Sequence, residues 1–131
     1  MGNLLHIFKA LADPTRLRIL KMLMIKPLCV CEVMHVLNMA QSTTSRHLQI
    51  LFKTSLIEVQ SGGTWTVYRI PKKPEPVIVN ILNLVSQVAD TEESKTDAVR
   101  TKKADRNRIC EQKMKNRKRG DEWQRTLKQN D

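Results

Sequence analysis

Two short apolar-striped segments separated by only three residues, Asn38-Met39-Ala40, constrain this chain more than any other feature. The first runs from about Cys29 to Leu37, with Val30, Val33, Met34 and Leu37 at helical spacing; the second runs from Gln41 to Phe52 and turns Thr44, Leu48 and Leu51 inward. Two helices joined by so tight a turn form a helix-turn-helix, and the second then presents its free face outward. That face holds Gln41, Ser42, Thr43, Ser45, Arg46, His47 and Gln49. A helix kept only for solubility carries Glu and Lys, whereas this surface is mostly uncharged and polar. Gln and Arg can make bidentate contacts to adenine and guanine edges, and Ser, Thr and His can reach bases or phosphates. Residues 41–52 are therefore expected to be the recognition helix of a double-stranded DNA reader.

The flanking sequence fits the same architecture. Leu4, Leu5, Phe8 and Leu11 mark a first helix, and Ala12-Asp13-Pro14 ends it and starts a second. Asp13 suits the N-cap because its carboxylate accepts orphan N–H groups, and Pro14 suits the first helical position, where a missing donor is harmless. The second helix turns Leu17, Leu20, Leu23 and Met24 inward and stops at Pro27. Alternation over residues 57–60, the Gly62-Gly63 pair and the run Trp65 to Ile70 predict a β-hairpin whose turn tolerates positive φ. Its tip at Ser61, Gly62, Gly63 and Thr64 would be a wing beside the groove, with Arg69, Lys72 and Lys73 facing phosphates. A last helix, about Pro76 to Ala89, is apolar around most of its girth. So much apolar surface predicts a second copy packed against it through Val77, Ile81, Leu84, Val85 and Val88, with Leu4, Leu5 and Phe8 of the first helix contributing. The expected fold is mainly α with a small β-hairpin (α+β), a dimeric winged helix-turn-helix in the order α-α-α-α-β-β-α.

Residues 1–90 are expected to be this domain, and residues 91–131 a basic polar tail, either a solvated helix or disordered. Lys and Arg outnumber Asp and Glu by 23 to 13, giving +10 at neutral pH, which favours a polyanionic partner. The run from Lys113 to Arg119 would add non-specific phosphate affinity. No apolar stretch approaches the roughly 20 residues that span a bilayer, and no signal-peptide pattern is visible, so a cytoplasmic protein without a membrane partner is expected. An enzyme is disfavoured: neither a Cys-x-x-Cys redox pair nor a phosphate-binding glycine loop is present.

Cys29, Cys31 and Cys110 are the three cysteines, an odd number that suits reduced thiols better than a disulfide framework. Thiolates select soft ions. In a regular helix residues i and i+2 point about 200° apart, so Cys29 and Cys31 are expected to share one ion only by disturbing the first turn of the helix they begin. That disturbance would pass through Val33 and Leu37 to the recognition helix. Arg106, Arg108 and Lys113 lie near Cys110 in sequence and are expected to lower its thiol pKa.

Three segments in this order, residues 12–20, Leu28-Cys29-Val30-Cys31-Glu32-Val33, and residues 41–48, resemble the ArsR/SmtB family of metal-responsive repressors over residues 3 to about 90. The resemblance implies a homodimer that binds an imperfect inverted repeat at a promoter and dissociates on binding a metal or metalloid ion. Ala40 stands where many members have a capping Ser, and the basic tail lies outside the pattern. In the arsenite-responsive branch a third Cys often follows three residues after the second; here Met34 holds that place, so either two sulfurs suffice or Cys110, from the same or the partner chain, completes a trigonal site. Zinc, nickel or cobalt sensing across the dimer helix would need His, Asp or Glu pairs there, and residues 76–89 hold none. His6 and His35 read as structural or surface residues and not as ligands. As(III) or Sb(III) is thus the expected effector, with another soft metal (cadmium, lead) or thiol oxidation as alternatives.

Overall fold

A computed structural model describes residues 2–60, 63, 65–88 and 91–110. Its elements are α1 (Gly2–Leu11), α2 (Pro14–Ile25), β1 (Leu28–Cys29), α3 (Val30–Leu37), α4 (Gln41–Lys53), β2 (Glu58–Gln60), β3 (Val67–Arg69), α5 (Pro76–Gln87) and α6 (Glu92–Lys103). A further helical stretch covers 106–110. The basic run 113–119 lies outside the described residues.

Local chemistry sets the boundaries. Thr15 and Arg16 donate their backbone N–H groups to Asp13 Oδ1 at 2.8 and 3.1 Å, so Asp13 caps α2 as its sequence position requires. Asn38 ends α3 in the left-handed region at φ 53°, a conformation that Asn tolerates better than most residues, and this lets the chain turn sharply into α4. Ile19, Leu20, Val33, Val36, Leu48, Leu51 and Leu56 form the centre of the core, where α2, α3 and α4 meet.

The expected hairpin is present, but it belongs to a three-stranded antiparallel sheet in the order β1-β3-β2. Leu28 pairs with Tyr68 and Cys29 with Val67; on the other edge Val59 pairs with Tyr68. The observed order is therefore α-α-β-α-α-β-β-α-α. A two-residue strand has no periodicity of its own and exists only through its distant partner, so the sequence hid it.

Two further differences bear on function. Ile81 and Val85, expected at a partner surface, are buried within the chain at 8 % and 3 % exposure. Together with Ile78 and Leu82 they form the inward stripe of α5 at i, i+3, i+4 and i+7. Val77, Leu84 and Val88 remain exposed, as do Leu4, Leu5 and Phe8. Secondly, residues 92–110 lie against α2 and α3. Where a solvated or disordered tail was expected, Arg18 grips Asp97 with two bonds of 2.7 and 3.0 Å, Lys26 Nζ donates to Ala104 O at 2.8 Å, and Arg100 Nη2 donates to His35 O at 2.7 Å. Asp97 is 4 % exposed, yet paired. Charged contacts hold this segment in place of an apolar stripe, which is why its composition looked solvated.

Candidate nucleic-acid interface and thiol cluster

Helix α4 follows its sequence pattern closely. Thr44, Leu48 and Leu51 are buried, and the Thr44 hydroxyl donates to Ala40 O at 2.9 Å, so its polar atom is satisfied. Gln41, Ser42, Arg46 and Gln49 are exposed; Thr43, Ser45 and His47 are half-buried. Not all of these side chains are equally available. Gln49 Nε2 donates to the Tyr68 hydroxyl at 3.4 Å, tying α4 to β3. His47 Nδ1 accepts from Arg16 Nη1 at 3.2 Å, since a guanidinium can only donate. Burial lowers the His47 pKa, Asp13 pulls it up, and Arg16 and Arg46 add to the lowering, so the ring stays neutral at pH 7. His47 braces α4 against the start of α2; the exposed polar edge is Gln41, Ser42 and Arg46.

At the wing, Gly63 has φ +117°, the left-handed side that the turn was expected to need. Gly62 lies outside the described residues. Arg69, expected to face phosphate, pairs with Glu58 Oε1 at 3.3 Å across the β2–β3 ladder. Lys72 and Lys73 are exposed.

The cysteines converge. The sulfurs of Cys29, Cys31 and Cys110 lie within 4.8 Å of one another, and those of Cys29 and Cys110 are 3.7 Å apart. Three elements deliver them: the end of β1, the first turn of α3, and the helical stretch 106–110 of the same chain. Cys29 is the N-cap of α3, extended at φ −85° and ψ 167°. The 200° separation of a regular helix therefore does not apply, and the expected distortion of the first turn is not needed to bring its sulfur to that of Cys31. Cys29 and Cys110 are buried among Val67, with Cys31 and Trp65 packed beside them.

Burial pushes the Cys29 thiol up, with Glu32 close by, and pushes Cys110 up to about 12, with Cys29 and Cys31 adding to the rise. The expected lowering of the Cys110 pKa by neighbouring cations is overturned. Among those cations, the Arg106 guanidinium is turned to Glu32, whose Oε1 accepts from Arg106 Nε at 2.7 Å. The same oxygen accepts from the Cys29 backbone N–H at 3.0 Å. Sequence reasoning missed Glu32, and it paired Arg106 with the Cys110 thiol where the structure pairs it with the Glu32 carboxylate. The signals were the Cys29-x-x-Glu32 spacing of a capping box and the four-residue step from Arg106 to Cys110 on one helical face.

Among the described residues no helix is long and apolar enough to cross a membrane. Comparison with known proteins agrees with this geometry. The family model "Bacterial regulatory protein, arsR family" matches residues 13–59, from the α2 cap to β2. An uncharacterized HTH-type transcriptional regulator of Methanocaldococcus jannaschii is 46 % identical over 66 residues, half of this chain and 74 % of the relative. The arsenic resistance transcriptional regulator ArsR2 of Pseudomonas putida is 34 % identical over 110 residues, covering 79 % of this chain and 94 % of its own. Among solved structures, the homodimeric winged helix-turn-helix DNA-binding domain of a possible ArsR-family regulator from Mycobacterium bovis superposes with a TM-score of 0.58 at 31 % identity, over 70 % of this chain and 82 % of that one. With the fold, the exposed polar edge of α4 and these relatives in agreement, the chain belongs to the ArsR family of DNA-binding winged helix-turn-helix transcription regulators.

Proposed function

We propose that this protein is a homodimeric repressor that leaves its operator when As(III) or Sb(III) is held by the thiolates of Cys29, Cys31 and Cys110 of one chain. The observation that carries this reading is the convergence of three sulfurs within 4.8 Å, with Cys110 brought from 81 residues beyond Cys29. The donor set fits such an ion. Sulfur favours soft ions over hard ones, and no fourth His, Cys, Asp or Glu joins the group among the described residues, which suits a three-coordinate ion better than a tetrahedral one. The arsenic-resistance role of the Pseudomonas putida relative supports the same class of effector.

The position of the thiols supplies the coupling. Cys29 ends the strand that pairs with Val67 of the wing, and Cys31 sits in the first helix of the helix-turn-helix. Drawing these sulfurs toward Cys110 shifts the β1–α3 junction, and with it the wing relative to α4. Operator release from 99:1 to 1:99 needs about 5.5 kcal/mol of preference between the two states. The dimer would bury Leu4, Leu5, Phe8, Val77, Leu84 and Val88, all exposed in the single chain, and the homodimeric Mycobacterium bovis domain supports that assembly. Gln41, Ser42 and Arg46 would read bases, with Thr43 and Ser45 on phosphates and Gly63 at the wing tip.

Fluorescence anisotropy of a labelled promoter fragment tests this. Arsenite is expected to release the wild-type protein, while Cys29→Ser, Cys31→Ser and Cys110→Ser each hold DNA at arsenite concentrations that empty the wild type. Unimpaired release by all three variants would overturn the proposal. The 3.7 Å contact between Cys29 and Cys110 favours one second reading, a peroxide-driven disulfide; release by peroxide in place of arsenite would establish it.

A further inference from the structure

We infer that the Glu32–Arg106 ion pair is the positioning device that delivers the third sulfur, and that Arg106 is in this sense part of the effector site without touching the ion. The inference rests on the effector reading given above. Its foundation is one carboxylate oxygen with two duties. Glu32 Oε1 accepts from the backbone N–H of Cys29 at 3.0 Å and from Arg106 Nε at 2.7 Å. Arg106 Nη2 also donates to Pro27 O at 3.3 Å, on the other side of β1. Arg106 therefore clasps the short β1 strand and the start of α3 together. Cys110 lies one helical turn later on the same face, so the clasp sets how its sulfur meets the other two.

Glu32 is 1 % exposed. A carboxylate that deep needs a cationic partner, and Arg106 Nε supplies one at 2.7 Å. The pair also keeps the carboxylate occupied beside the cluster, so sulfur remains the donor set. Other contacts of the segment 92–110 have different targets: Arg18 holds Asp97 and Arg100 holds His35 O, and neither engages Glu32 or a thiol.

The test compares wild type, Arg106→Gln, Arg106→Lys, Glu32→Gln and, as a control for general loosening of the arm, Arg100→Gln. Alkylation of Cys110 in the ion-free full-length protein, followed by peptide mass mapping, reads the position of the sulfur directly. Arg106→Gln and Glu32→Gln are expected to speed it at least about tenfold, the scale of one charged buried hydrogen bond. Arg100→Gln leaves it near wild type, and Arg106→Lys restores most of the protection. Arsenite affinity by titration calorimetry is expected to fall in Arg106→Gln as far as in Cys110→Ser, with no further loss in the double variant. Wild-type alkylation rates in both Arg106→Gln and Glu32→Gln would overturn the inference. Faster alkylation combined with full arsenite affinity in Cys110→Ser would sustain the positioning role and overturn the effector reading instead.

Discussion

Asp13 shows how a single side chain fixes the approach of the recognition helix. Burial pulls its carboxyl pKa upward, but the backbone N–H groups of Arg16 and Thr15, with the Arg16 guanidinium, together hold it below the ordinary aspartate value. Arg16 in turn reaches Ala10 O, Lys9 O and His47, so one cap joins α1, α2 and α4. Replacing Asp13 by Ala is expected to lower stability by about 1 kcal/mol at pH 7 in urea denaturation. Because the folded-state pKa is depressed, that contribution is present above the unfolded-state value and disappears as pH falls through the folded one. The gap between Asp13→Ala and wild type should therefore close in acid, below the ordinary aspartate range. A gap that persists there would mean that the carboxylate charge is not what caps α2. This cap was legible in the sequence because Asp-Pro acts within four residues. The contacts of His47 with Arg16 and of Arg69 with Glu58 were not, since each depends on a partner brought in by the fold.

Among the elements, α4 and α6 mark the two extremes of legibility. Thr44, Leu48 and Leu51 fall on one face by period alone, and their burial follows. Helix α6 has no such stripe: Asp97 and Thr101 are its buried residues, and its attachment depends on Arg18 of α2. Strand β1 is equally silent, because its two residues acquire a conformation only from β3. Cys29 was therefore placed on a helix, and an incorrect strain followed from that placement. The importance of the Arg18–Asp97 pair can be measured. Arg18→Met leaves a nearly buried carboxylate without its cation and is expected to cost about 3 kcal/mol, whereas Arg18→Met with Asp97→Leu recovers most of the loss. Thermal unfolding and proteolytic cutting near residue 90 report both effects. Equal stability of Arg18→Met and wild type would show that α6 is held by something other than this pair.

For the molecule as a whole, the proposed function uses separate parts of the chain. The polar edge of α4 is exposed, as are apolar residues of α1 and α5, and the thiols of Cys29 and Cys110 lie buried where the sheet, α3 and the stretch 106–110 meet. On the proposed reading, an ion held there would need no DNA contact to affect DNA binding, because Cys29 and Cys31 belong to β1 and α3, which join the wing to the helix-turn-helix. The sequence pointed to thiol chemistry and to Cys110 as one of its options; the fold brings the Cys110 sulfur of the same chain within 4.8 Å of the other two and places Glu32 and Arg106 next to the cluster. The central claim is that these three sulfurs form one site. Arsenic K-edge X-ray absorption on the arsenite-loaded full-length protein measures it most directly. Three sulfur neighbours in the wild type, falling to two in Cys110→Ser, is the predicted result, and two sulfurs with an oxygen in the wild type would contradict it.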